Sequence, residues 1–498
     1  MTNPYDADHG QSIKDPNGFW GRVAEDCHWY KKWDKVLDDS RKPFYRWFTG
    51  GELNTCFNAV DRHVAAGRGA QAAIIYDSPV TDTRRVITYA ELQDLVARFG
   101  GVLRGLGVAK GDRVIIYMPM VPEALIAMLA CARIGAVHSV VFGGFSAHEL
   151  ATRINDAKPR VIVAGSCGIE PNRVVQYKPL LDRAIEEAAH KPERCVVLQR
   201  PQEPGTLIEG RDLGWAEAMA AADPVECVPV AATDPLYILY TSGTTGQPKG
   251  VVRDNGGHAV AICWTMANVY GVKPGEVFWA ASDVGWVVGH SYIVYGPLIN
   301  GMATVVYEGT PLRPDAGIWW KIVQDYKVTV MFSAPTAIRV LKKQDPAFLK
   351  KYDLSTLRHL FLAGEPLDET TAQWIAEALA KPIYDHYWQT ETGWALLTGL
   401  PGIENHPTKF GSPSFPAYGY DVRLLHEETA EEVPANEKGV VAVIPPLPPG
   451  CMSTVWGQDE RFVQTYFTSF RDKLIYTTFD WGIRDEDGYY FILGRTDD

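Results

Sequence analysis

The sequence predicts an α/β protein built from several subdomains around mostly parallel sheets covered by helices. Three observations carry that expectation. From Ala73 onward, short apolar runs alternate with amphipathic stretches at the spacing of βα units. The run Leu236-Tyr237-Ile238-Leu239-Tyr240 opens directly into a loop of glycines and hydroxyls, at a strand end where such sheets place ligands. After Pro401 the pattern becomes short strands between Pro/Gly turns, which marks a small β-rich, barrel-like subdomain.

Residues 17–70 are dense in aromatics, among them Phe19, Trp20, Trp29, Tyr30, Trp33, Phe44, Tyr45, Trp47 and Phe48. Their acidic surroundings favour packing over stacking on nucleic-acid bases. Ile87-Thr88-Tyr89 leads into a helix from Ala90 to about Leu106, apolar at Leu92, Leu95, Val96, Phe99 and Leu103 and stopped by Gly107. Val114 to Tyr117 is a buried strand, Pro122 opens the next helix, and Ser139-Val140-Val141-Phe142 is the strand that follows. The apolar window 124–142 contains Arg133, Gly135 and His138. An arginine at mid-bilayer costs about 2.5–3.5 kcal/mol, so this window is buried helix then strand and no membrane span is expected.

Residues 199–233 are rich in Pro, Gly, Asp and Glu and form a connection to a second βα half. That half has strands near 276–281, 303–307, 328–333, 357–362 and 383–387, with helices starting at Pro335 and Asp368. The expected divisions are 1–75, an N-terminal segment; 76–234 and 235–400, two α/β subdomains; 401–494, the β-rich part; and 495–498, which a family resemblance, carried by the motifs described next, implies is a hinge.

Composition removes several function classes. Lys and Arg number 48 against 60 Asp and Glu, a net charge of -12, which speaks against non-specific binding of nucleic acid or anionic membrane. The eight cysteines include no CxxC pair and read as reduced thiols. Residues 1–11 are polar and acidic, without the features of a secretory signal or transit peptide, so a soluble cytoplasmic protein is expected.

The chemistry centres on Thr241-Ser242-Gly243-Thr244-Thr245-Gly246-Gln247-Pro248-Lys249-Gly250. Glycines let backbone N–H groups face a polyanion, hydroxyls add donors, and Lys249 adds positive charge. This is the chemistry of a phosphate cradle. Lys249 is followed by Gly250 and not by Ser or Thr, which separates the loop from the Walker type. A plain surface loop is the competing reading, but such loops seldom pack so many donors beside a core strand.

With its continuation Val251-Val252-Arg253-Asp254-Asn255-Gly256-Gly257-His258, the loop resembles that of the acyl-CoA synthetases of the adenylate-forming superfamily. Within them it is most similar to the short-chain branch, and to its propionate-activating type. The resemblance covers nearly the whole chain. It implies ATP and AMP, Mg²⁺ and coenzyme A as cofactors, a short carboxylate as substrate, and the large N-terminal domain of that family as the fold, its N-terminal segment wrapped around the body.

Site residues follow from the same resemblance. Thr241, Thr244, Lys249 and Glu391 are the catalytic candidates, with Ser242, Gly243, Thr245 and Gly246 completing the phosphate loop. Tyr387-Trp388-Gln389-Thr390-Glu391-Thr392-Gly393 matches the segment whose acid, Glu391, holds Mg²⁺ with a loop threonine, here Thr244. A carboxylate suits that ion, which keeps its other ligands from water and phosphate. Asp385, His386, Tyr387, Trp388, Gln389 and Thr390 lie on the nucleotide side, as do Gly364, Glu365 and Pro366. Asp480, in Tyr476-Thr477-Thr478-Phe479-Asp480, would grip the ribose, with Arg495 also on the nucleotide. Phe479 stands where the family commonly has glycine, which questions the local backbone geometry.

Asp283-Val284-Gly285-Trp286-Val287-Val288-Gly289-His290 resembles the acyl-pocket segment, so Trp286, Val287 and Val288 join Trp388 and Ala363 as substrate candidates. His290 reads as a packed, hydrogen-bonded histidine. Acetate enzymes of the branch typically carry valine at Ala363. The smaller side chain leaves room for one more substrate carbon, worth about 0.8 kcal/mol per buried methylene, and favours propionate. Acetate, acrylate and 3-hydroxypropionate remain open. Gly143 and Gly144, after the 139–142 strand, and Arg173 match residues beside the coenzyme A path, with a tight turn and a solvated charge as the plain alternatives.

The resemblance also implies a further domain after Asp498, so the chain is expected to be a truncated or proteolysed form that binds adenylate and turns over poorly. A kinase or NTPase and a non-catalytic adenylate-binding module are the rival classes. The sequence does not read out the oligomeric state.

Overall fold

The computed structural model describes residues 4–242 and 246–498. Two large sheets form its body. In the first, the strands run Asp212–Gly214, Arg194–Leu198, Val161–Gly165, Arg113–Tyr117, Val137–Val140, Pro235–Thr241, Lys249–Asp254 and Thr454–Val455, parallel until the last two. The second has seven strands in the order Ile383–Asp385, His359–Leu362, Val330–Ser333, Val277–Ala280, Ala303–Tyr307, Ala72–Ser78 and Thr83–Thr88, with only the last antiparallel. The parallel strands are near-continuous apolar runs because helices cover both faces.

The sheets cut across two expected divisions. Pro235–Thr241, placed at the start of the second subdomain, pairs with Val137–Val140 in the first sheet, while Ala72–Ser78 and Thr83–Thr88 belong to the second. Hydrophobic runs identify buried strands but carry no record of which sheet receives them.

Local signals land close to where the sequence puts them. Thr88 caps the Tyr89–Gly105 helix in a reciprocal capping box with Glu91. Pro122 opens the Pro122–Ile134 helix, which is buried on every side. Arg133, the charge in that helix, donates to Asp61 Oδ1 at 2.9 Å and to the Val225 carbonyl at 2.6 Å. The same guanidinium lies 3.6 Å from Cys56 Sγ. Cys56, Asp61 and Cys227 bring three ligand-type atoms together, and the Arg133 guanidinium is already bonded to both Asp61 oxygens and lies against Cys56. All eight cysteines are free, and no described helix is long and apolar enough to cross a membrane.

The first residues of the N-terminal segment pack against the 416–419 region. Tyr5 Oη donates to the Pro416 carbonyl at 2.6 Å, and Gly419 N donates to Ser12 Oγ at 2.8 Å. Trp20 and Phe48 are fully buried and Phe19, Trp29, Trp33 and Phe44 pack against the core, so most of the aromatic stripe is packing, with Tyr30 exposed. Asp421–Leu425, Gly439–Ile444, Tyr476–Arg484 and Tyr490–Arg495 form an antiparallel four-stranded sheet in that order. It curls far enough for Tyr490 Oη to reach the Val422 carbonyl, although its outer strands do not pair.

Candidate active site

The phosphate-loop candidate joins two antiparallel strands, with Thr241 opposite Lys249. Glycine is required at Gly246, whose φ is +94°. Gly243, Thr244 and Thr245 lie outside the described residues. Thr241 Oγ1 is buried without a hydrogen-bond partner among the described residues, as a donor reserved for a ligand would be. Burial lowers the Lys249 pKa, with Glu391 acting against that shift.

Glu391 is the acid whose charge acts on Lys249. Its Oε2 accepts the Tyr466 hydroxyl at 2.7 Å, and its second carboxylate oxygen makes no hydrogen bond within the described residues. A free hard oxygen beside a phosphate loop fits Mg²⁺. The 390–391 backbone is held by Arg253, a residue sequence reasoning left out of the site. Its fully buried guanidinium donates to the carbonyls of Thr390, Glu391 and Gly450, the last two at 3.1 Å, and its Nε donates to Tyr237 Oη at 3.0 Å. A lone arginine in a strand of buried residues was the available signal.

Beyond Glu391 the structure opens a cleft of about 300 Å³. Gly364, Glu365, Pro366 and Leu367 form one wall. Asp385, His386, Tyr387, Trp388 and Gln389 form another, and Asp480 with Arg495 closes it. Ten sequence candidates thus meet in one cavity, with Leu367, Gly411, Pro413, Ile492 and Gly494 as unanticipated neighbours. Gly364 holds φ +100°, a conformation that favours glycine. Tyr387 Oη donates to Asp480 Oδ2 at 2.5 Å, and Arg495 Nη1 lies 3.8 Å from the same carboxylate. Burial nevertheless raises the Asp480 pKa, and it pushes the Asp385 carboxyl up to about 8.

Some candidates are engaged otherwise than expected. Gln389 lines the cleft, but its amide donates to the Thr478 carbonyl at 2.6 Å and its Oε1 accepts from Tyr476 at 2.9 Å, so the side chain is a brace. The His386 ring turns into the core against Phe361 and meets Tyr270 Oη at 3.1 Å, leaving its backbone to the cleft. Thr390 is absent from the cleft lining and gives its carbonyl to Arg253.

The acyl candidates divide. Trp388 packs edge-on against Tyr292 and Phe332, and Ala363 is buried with its N–H donating to the Ser333 carbonyl at 3.1 Å. Val287 and Val288 are half-buried at the start of the Val287–Gly289 turn of helix. Trp286 stands apart from these contacts. It is 45% exposed and stacks on Phe142 at 4.9 Å, beside Gly143 and Gly144. His290 is packed as expected, with Nδ1 2.9 Å from the Trp286 carbonyl oxygen and burial lowering its pKa to about 4.

A side chain at Gly143 would collide with Tyr177 Oη and the Met118 carbonyl, and Gly144 holds φ +92°. The ring of Tyr177 also fills the space over Gly168, so it joins this turn to the Cys167–Glu170 and Arg173–Gln176 hairpin. Arg173 is on that hairpin, 70% exposed, and donates to Glu170 Oε2 at 2.7 Å.

A lysine at the end of a glycine loop, within the electrostatic reach of an acid that lies two residues along the chain from a cleft of nucleotide size, places the chain among nucleotide-using enzymes with a phosphate-handling loop. Sequence comparison narrows the class. A profile described as AMP-binding enzyme matches residues 61–450, and one described as acetyl-coenzyme A synthetase N-terminus matches residues 5–59. The chain belongs to the AMP-binding enzyme family. It is 51% identical over 492 residues to the propionate–CoA ligases of Salmonella typhimurium and Escherichia coli, covering 98% of this chain and 78% of each relative. It is 49% identical over 499 residues to the mitochondrial acyl-CoA synthetase short-chain family member 3 of Rattus norvegicus, covering 99% of this chain and 73% of the relative.

Proposed function

We propose that this chain is an AMP-forming acid–thiol ligase that activates a short carboxylate, propionate before others, for transfer to coenzyme A. A carboxylate oxygen attacks the α-phosphorus of ATP, the bond to the β-phosphate breaks, and acyl-AMP and pyrophosphate form. The thiol sulfur of coenzyme A then attacks the acyl carbon, loses its proton, and AMP leaves. Lys249 and the loop donors stabilise charge on the phosphates, which is electrostatic catalysis without a covalent enzyme intermediate. Mg²⁺, when bound at Glu391 and Thr244, neutralises part of the same charge. Tyr387 and Arg495 orient Asp480 toward the ribose, and Ala363 with Trp388 sets the length of acyl chain accepted. Gly143, Gly144 and Arg173, with Trp286 stacked beside them, are assigned to the coenzyme A side. Eight free thiols support a reducing, cytoplasmic setting.

The observation that carries this proposal is the cleft between Gly364 and Arg495, with Gln389 in its wall two residues from Glu391, whose charge acts on Lys249. Calorimetric titration with the ethyl, propyl and butyl esters of AMP tests it. Tightest binding by the propyl ester is expected. A maximum at the ethyl ester moves the substrate to acetate, and no binding by any ester to folded protein overturns the adenylate assignment.

A further inference from the structure

One short helix touches both halves of the phosphate site. It spans Asp459–Tyr466 and follows the Thr454–Val455 strand, which pairs with the strand leaving the phosphate loop. Trp456 N donates to the Gly250 carbonyl at 2.8 Å, and Thr454 Oγ1 donates to Asp459 Oδ1 at 2.7 Å. Phe462, buried, packs against Phe44 of the N-terminal segment. The helix is therefore anchored before it reaches the site.

From this base two side chains project. Arg461 donates from Nη2 to the Gln247 carbonyl at 2.5 Å and from Nη1 to the Pro248 carbonyl at 3.4 Å. Tyr466, buried, donates its hydroxyl to Glu391 Oε2 at 2.7 Å. Its ring stacks on Tyr476 at 5.6 Å, and Tyr476 holds Gln389 in the cleft wall. The two carbonyls that Arg461 engages end the phosphate loop. Turned toward a polyphosphate, their lone pairs would repel it; the planar guanidinium holds both away. Tyr466 fixes one oxygen of Glu391 and leaves the other for a cation.

We infer that the Asp459–Tyr466 helix is a brace that sets the distance between the phosphate loop and the acid of the metal site, with Arg461 and Tyr466 as positioning residues for the triphosphate and its cation. This rests on the assignment of Lys249 and Glu391 made above. Neither side chain has to touch the nucleotide. Their effect is specific to the β- and γ-phosphates, because the AMP moiety is held in the separate cleft around Asp480.

The test compares ATP with the propyl ester of AMP in equilibrium binding to wild-type protein, Arg461→Met and Tyr466→Phe. A hydrogen bond to a charged group supports about tenfold or more in affinity. Arg461→Met should weaken ATP by about that factor while leaving the ester within about twofold. Arg461→Lys, which cannot form the fork, should recover only part. Tyr466→Phe should raise the Mg²⁺ concentration needed for half-maximal ATP binding, again sparing the ester. Loss of one oxygen keeps this variant folded if Arg461→Met is not. Equal weakening of ATP and ester, or no change in either, overturns the brace. Wild-type protein that binds no ester overturns the underlying site assignment, and the brace falls with it.

Discussion

The Arg495 guanidinium carbon lies 5.7 Å from the centre of the Phe479 ring, and Phe479 itself holds a backbone φ of +62°. The phenylalanine has kept the left-handed conformation that a glycine would adopt at this position. That conformation costs an L-residue about 1–2 kcal/mol. The ring offsets part of it through the cation–π contact, worth about 0.5–2 kcal/mol. Phe479→Gly and Phe479→Ala both remove the ring, but only glycine relieves the backbone. Glycine should therefore be the more stable of the two by about 1 kcal/mol in urea unfolding. The opposite order, normal for a strand, would show that the left-handed geometry does not persist in solution.

Ala363 is expected to set acyl length. It sits beside Ser333, and the preceding Phe332 packs against Trp388. Ala363→Val adds two methyl groups to this wall. The preferred AMP ester should shorten from propyl to ethyl, with a change in ratio on the order of 10–200-fold, the range one methylene supports. An unchanged order of esters would place Ala363 away from the acyl end.

The fold class was legible because it rests on local pattern: Thr88 and Pro122 start their helices, and buried strands read as apolar runs. Sheet membership was not, since the long-range partner of Pro235–Thr241 leaves no mark on its own residues. The cleft residues were legible through the resemblance of their motifs to those of the acyl-CoA synthetases, not through their spacing. Arg253, Arg461 and Tyr466 were not, because each acts on a backbone carbonyl or carboxylate more than a hundred positions away or across a gap that spacing cannot bridge. Trp286 shows the converse: its motif is clear, but the direction of its ring depends on Phe142.

Arg253 should be among the least replaceable residues near the site. Its guanidinium satisfies three carbonyls and a tyrosine hydroxyl in full burial. Arg253→Met leaves those acceptors without donors, each at a cost of about 1–3 kcal/mol. A lysine has neither the reach nor the number of donors to replace it. Both variants should lower the urea midpoint markedly and weaken ATP binding, as Glu391 loses its anchor. A midpoint unchanged in Arg253→Met would mean that water already serves these carbonyls.

Asp385 provides a pH signature. Burial, with no cation to oppose it, pushes its carboxyl up to about 8, so the folded protein holds a proton that the unfolded chain releases near pH 4. Between those values the folded state binds more protons, and stability falls as pH rises toward about 8. Asp385→Asn keeps the size and neutrality of the protonated acid and removes the titration. Asp480, also raised, is present in both proteins, so the difference between wild type and variant isolates Asp385. The variant should gain on wild type from pH 5.5 up to about 8 in urea unfolding and level off above that. A constant difference across that range would show that Asp385 is already ionised and hydrated in the open cleft.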